Sequence, residues 1–367
     1  MKLKVKREEL LRPLQIVNSV IERRQTLPIL ANALLRIGNG SITLVGTDLE
    51  VEMVVSAALA NGGDGEATLP ARKLLDICRT LPENAEITLE TEGDQVKLNS
   101  GRSRFRLSTL PVSDYPSLED MAVQKSVEVT EGNLKRLIER THFAMAQQDV
   151  RYYLNGLMME FADGRIRAVA TDGHRLALNE CEARVSGGEM QQIIVPRKGV
   201  VELQRLLEDS DGVVKLEVGT NHLRVKVRDV SMTSKLIDGR FPEYERVLPA
   251  QCNKHLIVDR DLLRDALTRT SILSNEKYRG VRFNIDDGIL RAQAHNPEQE
   301  EAEEEIEVEY EGAAIEIGFN AGYVLDALNA VVTEKIKMEL SDPNSSCLIL
   351  PHEEAMISKY VVMPMRL

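Results

Sequence analysis

A threefold internal repeat is the feature that most constrains what this chain can fold into. An amphipathic segment with the pattern of a helix start occurs at 8–14, again at 132–138 and again at 261–267. A strand-ending signature recurs at equal intervals, as Thr47-Asp48, Thr171-Asp172 and His295-Asn296. A period close to one third of the 367 residues predicts three tandem copies of one structural module.

Each copy also holds a second helical signal and several short strands. The second helical signal follows Pro70 in the first copy and Pro196 in the second, and it begins at Asn320 in the third. Alternating runs such as 41–45 and 223–227 are typical of half-buried antiparallel strands. The repeat predicts an α+β fold with three similar domains, each of two helices and about eight antiparallel strands. Their expected boundaries are 1–125, 126–253 and 254–367.

Similar domains in a row have a consequence for assembly. Short linkers near 121–126 and 251–254 would let each domain follow the last by a nearly constant rotation. The resulting arc either closes or grows into a filament, and closure by a head-to-tail dimer is the simpler outcome. Closure would also cover the edge strands of the first and last domains.

Composition excludes several classes of function. A formal net charge of −12 argues against a protein that holds nucleic acid by dense phosphate contacts. The four cysteines form no CxxC pair, so neither a zinc site nor a disulfide framework is indicated, and we expect no metal or cofactor. No apolar run approaches the roughly 18 residues of a membrane helix. No apolar leader follows the first residues. We therefore expect a soluble, cytoplasmic protein without a membrane partner.

Several longer motifs keep a fixed order along the chain. They are Leu27-Pro28-Ile29-Leu30, Gly46-Thr47-Asp48-Leu49-Glu50, Asp149-Val150-Arg151-Tyr152-Tyr153-Leu154-Asn155-Gly156, Ala170-Thr171-Asp172-Gly173-His174-Arg175-Leu176, Val195-Pro196-Arg197-Lys198-Gly199, Asp238-Gly239-Arg240-Phe241-Pro242, Asn296-Pro297-Glu298-Gln299-Glu300 and Tyr360-Val361-Val362-Met363-Pro364-Met365-Arg366-Leu367. Together, in this order and at these intervals, they resemble the bacterial DNA polymerase III beta subunit family over the whole chain.

The resemblance implies a DNA sliding clamp without catalysis of its own. Two chains, each of three tandem DNA-clamp domains, would close into a homodimeric ring with helices lining the hole and strands forming the outer wall. The ring would encircle double-stranded DNA without reading its sequence, because base-specific contacts would oppose sliding. A hydrophobic pocket would hold the replicative polymerase, the clamp loader and repair polymerases through short peptide motifs and so confer processivity.

The resemblance also implies which residues face DNA. Matching positions are Arg24, Gln148, Tyr152 and Tyr153, and further candidates on lining helices are Arg72, Arg79, Arg197 and Lys198. Basic residues gather on five of the six helical segments, whereas the segment around 324–331 has none. The alternative is that these arginines are merely solvated, and that one tyrosine of the pair packs in the core while the other faces water.

By the same resemblance the partner pocket lies beside the chain's apolar C-terminal end. Its expected residues are Leu154, Thr171, Gly173, His174, Arg175, Leu176, Pro242, Arg246, Val247, Asn320, Tyr323, Ser346, Val361, Val362, Met363, Pro364, Met365 and Arg366. Flexible methionines at 363 and 365 suit a pocket that accepts several peptides. A C-terminal strand that completes the last sheet is the plainer interpretation, and both can hold at once.

The seam of the ring is expected to join the first domain of one chain to the third domain of the other. Matching positions are Phe105 and Leu107 on one side and Ile272 and Leu273 on the other; the alternative is that all four are ordinary core residues. The glutamate run 298–305 is interpreted as a solvated, self-repelling surface that keeps DNA off the outer wall.

Two other functions compete with a clamp. Asp172, His174 and Arg175 in one turn could serve acid-base catalysis in a hydrolase. No GxSxG, P-loop, HExxH or CxxC motif accompanies them, and the equivalent turns read Thr47-Asp48-Leu49-Glu50 and His295-Asn296-Pro297-Glu298. A repeated Thr-Asp is more economically a turn former. A repeat scaffold with no nucleic-acid role fits the composition, and mainly the resemblance argues against it.

Overall fold

The computed structural model describes residues 1–22, 27–59, 63–116, 121–162, 164–186, 189–353 and 357–366. Contacts group the chain into two compact units. Unit 1 contains Met1–Glu131 and Val201–Leu236, and unit 2 contains Gly132–Val200 and Ile237–Leu367. The three-domain boundaries remain a prediction from the sequence.

Each third of the sequence contains two helices in its described part, as the repeat predicts. They are α1 (Arg7–Val20), α2 (Ala71–Thr80), α3 (Glu131–Glu139), α4 (Arg197–Leu206), α5 (Arg260–Thr270) and α6 (Ala321–Ala330). Apolar residues at helical spacing give each a buried face, such as Leu10, Leu14 and Val17 in α1. Asn320 begins α6 as its N-cap, because its side chain accepts from the first free N–H groups of the helix.

Short strands fill most of the rest. The first third has β1 (Lys2–Lys6), β2 (Asn32–Gly38), β3 (Ser41–Thr47), β4 (Val51–Ala58), β5 (Gly65–Pro70), β6 (Glu86–Glu92), β7 (Gln95–Ser100) and β8 (Ser103–Ser108). The second has β9 (Lys125–Thr130), β10 (Gly156–Ala162), β11 (Arg165–Thr171), β12 (Arg175–Glu182), β13 (Arg184–Ser186), β14 (Gln191–Pro196), β15 (Val213–Val218), β16 (His222–Val227) and β17 (Val230–Lys235). The third has β18 (Lys254–Asp259), β19 (Gly280–Asp286), β20 (Ile289–His295), β21 (Glu301–Glu307), β22 (Glu309–Glu311), β23 (Ile315–Asn320), β24 (Lys335–Leu340), β25 (Cys347–Pro351) and β26 (Ser358–Val362).

Unit 1 contains a four-stranded antiparallel sheet, β1-β6-β7-β8, and a longer antiparallel run, β9-β15-β16-β17-β4-β3-β2-β5. The longer run joins strands of the first and the second third of the sequence, because β17 pairs with β4 and places Met232 opposite Met53. Both methionines are buried.

Unit 2 repeats this construction. It has a four-stranded sheet, β21-β20-β19-β23, and a longer one, β14-β10-β11-β12-β26-β25-β24-β18-β22. Here β26 pairs with β12 and places Tyr360 opposite Ala177. The C-terminal strand thus completes a sheet, as the plainer interpretation of the chain's end predicted.

The strand registers show that the three thirds are built alike. Three rows of paired residues cross the sheets: Leu3, Leu89, Leu98 and Phe105; Val127, Leu216, Val225 and Met232; Leu256, Met338, Ile349 and Tyr360. The last members of the rows occupy equivalent positions, so Phe105 is the counterpart of Met232 and Tyr360. Apart from Phe105, which is half-buried, the side chains in these rows are buried. Full burial of such a side chain stabilises by roughly 2 kcal/mol.

No helix in the described ranges is long and apolar enough to cross a membrane.

Candidate functional site

Two turns of the same chemistry follow β3 and β11. In the second, the Thr171 hydroxyl donates to the Arg175 carbonyl at 2.6 Å. The Asp172 carboxylate accepts from the amides of His174 and Arg175 at 2.9 and 3.1 Å. Thr47 and Asp48 make the corresponding bonds in the first turn. The repeated Thr-Asp pair is therefore a turn former, as the sequence favoured over a catalytic group.

Arg175 is held on several sides next to this turn. Its guanidinium donates to the Asp172 carboxylate at 3.1 Å, to the Phe143 carbonyl at 2.9 Å and to the Asp326 carboxylate. The guanidinium carbon lies 4.6 Å from the centroid of the Tyr323 ring. These contacts hold the Arg175 side chain in one position, so that it forms a rigid wall beside the turn.

Tyr323 joins Arg175 to His174. The rings of His174 and Tyr323 stack with centroids 6.2 Å apart. Burial raises the pKa of Tyr323, and the nearby Asp172 carboxylate raises it further, so the phenol is neutral at physiological pH. The turn, Arg175 and Tyr323 therefore form one surface, and their role in a peptide pocket stays a prediction.

The C-terminal tail runs beside the turn. In the β12–β26 pairing, Val362 lies opposite Arg175 and Val361 opposite Leu176. Beyond the strand, the Met363 amide donates to the His174 carbonyl and the Met365 amide to the Gly318 carbonyl, both at 2.9 Å.

Exposure of the side chains differs along the tail. Val361 and Val362 are buried, Met363 is 41% exposed, Pro364 and Met365 are half-buried, and Arg366 is exposed. The tail thus borders the surface formed by the turn.

Buried apolar side chains form a floor for this region. The cluster contains Ala146, Leu154, Met158, Val169, Leu176, Leu178, Ile194, Phe241, Tyr244, Leu348 and Val361. Three predicted pocket residues, Leu154, Leu176 and Val361, thus belong to the buried core beneath the turn and the tail.

The segment 240–247 adds a second wall. A cavity of about 480 Å³ is lined by Tyr153, Arg240, Phe241, Pro242, Glu243 and Arg246. Val247, next in the chain, is 38% exposed. Arg246 is largely exposed and pairs with Glu243 at 2.5 Å. This cavity contains two of the predicted pocket residues, Pro242 and Arg246.

Two predicted pocket residues have other surroundings. Asn320 caps α6 and also donates to the Tyr278 carbonyl at 3.1 Å, which is a structural role. Ser346 is half-buried just before β25, and no hydrogen bond joins it to the turn or tail in the described part of the chain. A larger cavity of about 860 Å³ lies on the face formed by β19, β20 and β21, and among the predicted pocket residues only Met365 and Arg366 line it.

The predicted DNA-contacting residues near the start of β10 lie on one loop. Arg151 donates to the Asp149 carboxylate at 2.8 and 3.0 Å, and these bonds lower the pKa of Asp149 to about 2. Gln148 is exposed and has a positive φ of 55°. Tyr152 is 58% exposed, whereas Tyr153 is half-buried against the apolar floor. The tyrosine pair therefore divides as the alternative interpretation predicted.

The predicted DNA-contacting residues on the helices differ in their exposure and in their contacts. Arg72 is exposed, and no ion pair involves it among the described residues. Arg79 lies 3.8 Å from Asp76. In α4, Arg197 is half-buried and donates to the Met145 carbonyl at 3.5 Å, and Lys198 is also half-buried. Arg24 lies outside the described residues.

Arginines that continue the basic pattern on other helices are largely neutralised. Arg12 makes a two-bond pair with Asp229, at 2.5 and 2.8 Å. Arg264 pairs with two aspartates of its own helix, and Arg269 pairs with Glu304 at 2.5 Å. Helix α6 has no basic residue. Positive charge is therefore unevenly distributed among the helices.

The four predicted seam residues are only partly core residues. Ile272 is 74% exposed, and Leu273 and Phe105 are half-buried. Leu107 is 6% exposed and belongs to the core of its own unit. Three of the four thus leave apolar surface uncovered within a single chain.

Sequence reasoning missed residues that shape the site from a distance. Phe143 and Asp326 hold Arg175, and Phe241 and Tyr244 anchor the segment 240–247. Phe241 stands inside a motif already noted, directly before Pro242, and that position was the available signal. Asp326 lies 151 residues from Arg175, and no local pattern links the two.

Comparisons with known proteins agree over the whole chain. Models of the DNA polymerase III beta subunit match residues 1–119 (N-terminal domain), 128–243 (central domain) and 245–366 (C-terminal domain). Beta sliding clamps of Pseudomonas aeruginosa and Escherichia coli K12 are 52% identical over 365 residues and 50% identical over 369 residues. The match covers 99% of each chain in the first comparison and 100% in the second.

Solved structures agree equally closely. The crystal structure of the DNA polymerase III subunit beta from Pseudomonas aeruginosa has a TM-score of 0.98 at 50% identity, and that of the clamp from Bartonella birtlesii bound to griselimycin has 0.95 at 37% identity. Both comparisons cover 100% of both chains.

The fold and these matches define a DNA sliding clamp, which is a processivity factor and not an enzyme. The chain belongs to the DNA polymerase III beta subunit family.

Proposed function

We propose that two copies of this chain close head to tail into a ring around duplex DNA and hold polymerases through a peptide pocket beside the C-terminal tail. The observation that carries the proposal is a pair of edge strands whose counterparts elsewhere in the repeat have a partner strand. Within the described part of one chain, β8 and β21 each end a four-stranded sheet. Their counterparts, β17 with β4 and β26 with β12, are paired.

The repeat also predicts the register of the closing pair. Met53, Ala177 and Ala302 are equivalent, because they lie opposite Gly46, Ala170 and Ala294 at the same place in each third. Phe105 is the counterpart of Met232 and Tyr360. If β8 of one copy pairs with β21 of the other as the internal strands do, Phe105 lies opposite Ala302 of the second copy.

This register makes the charges complementary. Arg104 would lie opposite Glu303, and Arg106 opposite Glu301. Opposite-charge pairs directly across an antiparallel ladder contribute about 0.2–1 kcal/mol each. The glutamate run, interpreted from the sequence as a solvated surface, would then also select the partner strand. Ile272, exposed beside β21, would supply apolar burial at the same seam.

Retention on DNA would come from encirclement. The net charge of −12 and the neutralised arginines of α1 and α5 support weak phosphate contact, which sliding requires. Gln148, Tyr152 and Arg72 are exposed and remain our candidates for DNA contact, with Arg79, Tyr153, Arg197 and Lys198 as secondary ones.

The pocket would take short peptides from the replicative polymerase, the clamp loader and repair polymerases. Its walls would be Arg175 with Tyr323, the tail, and the segment 240–247. Apolar burial with a few fixed polar groups is the usual basis of such recognition. The protein would act in the cytoplasm, where replication takes place in bacteria.

A primer-extension assay tests the proposed function. A single-primed circular template is copied by the cognate replicative polymerase and clamp loader, with excess unlabelled template to prevent rebinding. We expect much longer products from a single binding event when this protein is present. Equal product lengths with and without it would overturn the proposal.

A further inference from the structure

A charged network lies on one face of the sheet that contains β10, β11 and β12, in contact with the segment 240–247. Arg167 stands in the middle of strand β11, directly between Glu160 of β10 and Glu180 of β12. Its guanidinium donates to Glu180 at 2.5 Å and to Glu160 at 3.2 Å. The side chains of both glutamates are about nine-tenths buried. Neither sequence reasoning nor the clamp function explains a charge buried at this place.

The same guanidinium reaches the pocket wall. The Arg167 Nη1 donates to the Tyr244 hydroxyl at 2.7 Å. Tyr244 is 5% exposed and begins the 3-10 turn Tyr244–Val247, which contributes Arg246 and Val247 to the predicted pocket. Burial raises the pKa of Tyr244 while the arginine opposes this, so the hydroxyl is neutral at physiological pH and can accept the bond.

The turn has a second contact with Arg167, because the exposed Glu245 carboxylate lies 3.7 Å from the same Nη1. Phe241 and Tyr244 are buried in the apolar floor, whereas Pro242, Glu243, Glu245 and Arg246 between and after them are exposed. The hydrophobic effect is non-directional, whereas a charge-assisted hydrogen bond has a defined direction and so adds to the positioning of the Tyr244 ring. Glu160 and Glu180 in turn fix the guanidinium.

We propose that Arg167 is a positioning residue of the peptide pocket, which acts through the Tyr244 hydroxyl to set the place of the 240–247 wall. The inference rests on the proposed function, because it assigns a role within the same pocket. The ligand class is unchanged: a short, largely apolar peptide whose anchor lies against this wall. Arg167 touches the wall and not the peptide.

Four variants test the inference. Tyr244→Phe removes only the hydroxyl, Arg167→Gln removes the charge and its fork, and the two are also combined. Arg165→Gln is the matched control, because Arg165 pairs with the same Glu180 at 3.4 Å on the same strand. Among the described residues it makes no bond to Tyr244. The probe is a fluorescent peptide from the clamp-binding segment of the cognate polymerase, titrated to give both Kd and the fraction of binding-competent protein.

We expect Arg167→Gln to raise Kd roughly tenfold, the scale of a lost charge-assisted bond. Tyr244→Phe should raise it several-fold, the double variant should bind no worse than Arg167→Gln, and Arg165→Gln should stay within about twofold. A purely structural role would instead lower the competent fraction at constant Kd. Unchanged Kd in both single variants, or equal loss in Arg165→Gln, would overturn the inference. Failure of the unsubstituted protein to bind the peptide would overturn the pocket itself, which is a separate result.

Discussion

The backbone amide of Met363 donates to the carbonyl of His174 at 2.9 Å, immediately beyond the point where β26 stops pairing with β12. The bond ties the C-terminal tail to the turn that holds Arg175. In the proposed pocket this tail is a wall, although the strand before it belongs to the core.

Removal of residues 363–367 should therefore abolish peptide binding and leave the dimer intact. The deletion ends the chain after Val362, so β26 keeps its pairings with β12 and β25. Fluorescence anisotropy with the labelled polymerase peptide measures the first effect and sedimentation velocity the second. Undiminished peptide affinity would remove the tail from the pocket.

Arg175→Gln should weaken peptide binding by about tenfold or more, since buried arginines in a rigid setting are frequent hot spots. Asp326→Asn should have a smaller effect, because Asp172 and the Phe143 carbonyl still hold the guanidinium. Asp261→Asn, which disturbs an exposed pair with Arg264, is the matched control. Isothermal titration with the same peptide compares the three. Normal binding by Arg175→Gln would contradict the proposed wall.

Charge reversal tests the register of the seam. Arg106→Glu and Glu301→Arg should each place like charges opposite each other and weaken dimerisation by roughly tenfold per seam. The two together should restore it. Arg102→Glu, on the turn that precedes β8, changes charge equally and should leave the dimer unaffected. Sedimentation equilibrium gives the dimer dissociation constants. A double variant no better than its parents would reject this register.

The apolar part of the seam gives a separate test. Ile272→Ala combined with Leu273→Ala should produce monomers, because Ile272 presents most of its side chain outside its own unit. Each monomer should remain folded, which circular dichroism checks. An unchanged dimer in sedimentation would mean that the two residues lie elsewhere.

The loop that carries Gln148 and Tyr152 should respond to acid in a defined window. The bonds from Arg151 lower the pKa of Asp149 to about 2. The ordinary value is about 4, so the ionised carboxylate supports the loop above about pH 4, and this support is lost as pH falls towards 2. At pH 4, hydrogen exchange in 148–155 should be protected in the unsubstituted protein and faster in Arg151→Gln. Equal exchange in both would contradict this role for the ion pair.

The sequence was sufficient for the parts of the fold that depend on local chemistry. Equal spacing of the Thr-Asp signatures predicted equivalent turns, and Thr47 and Thr171 make equivalent hydrogen bonds. Apolar periodicity predicted two helices per third, and the apolar end predicted the strand β26. These features are set by residues within a few positions of one another.

Long-range pairing could not be predicted in this way. Strands of similar pattern could pair at many edges, so nothing local indicated that β17 meets β4 or that β26 meets β12. The sequence offered the division of the adjacent tyrosines but not which of them is exposed, because the exposure of Tyr152 and the half-burial of Tyr153 depend on a 3-10 turn that no strand or helix period describes. Neutralisation of Arg12 by Asp229 likewise depends on a contact 217 residues away in sequence.

The most direct test of the central claim compares how well the protein is retained on circular DNA and on the same DNA after it is made linear. The protein is loaded onto nicked circular DNA by the cognate clamp loader, the loader is removed, and the DNA is cut once with a restriction enzyme. A ring that holds DNA by encirclement should remain on the circle and be lost rapidly from the linear product at the same salt concentration. Equal retention on circular and linear DNA would show that the protein grips DNA by contact and would contradict the account.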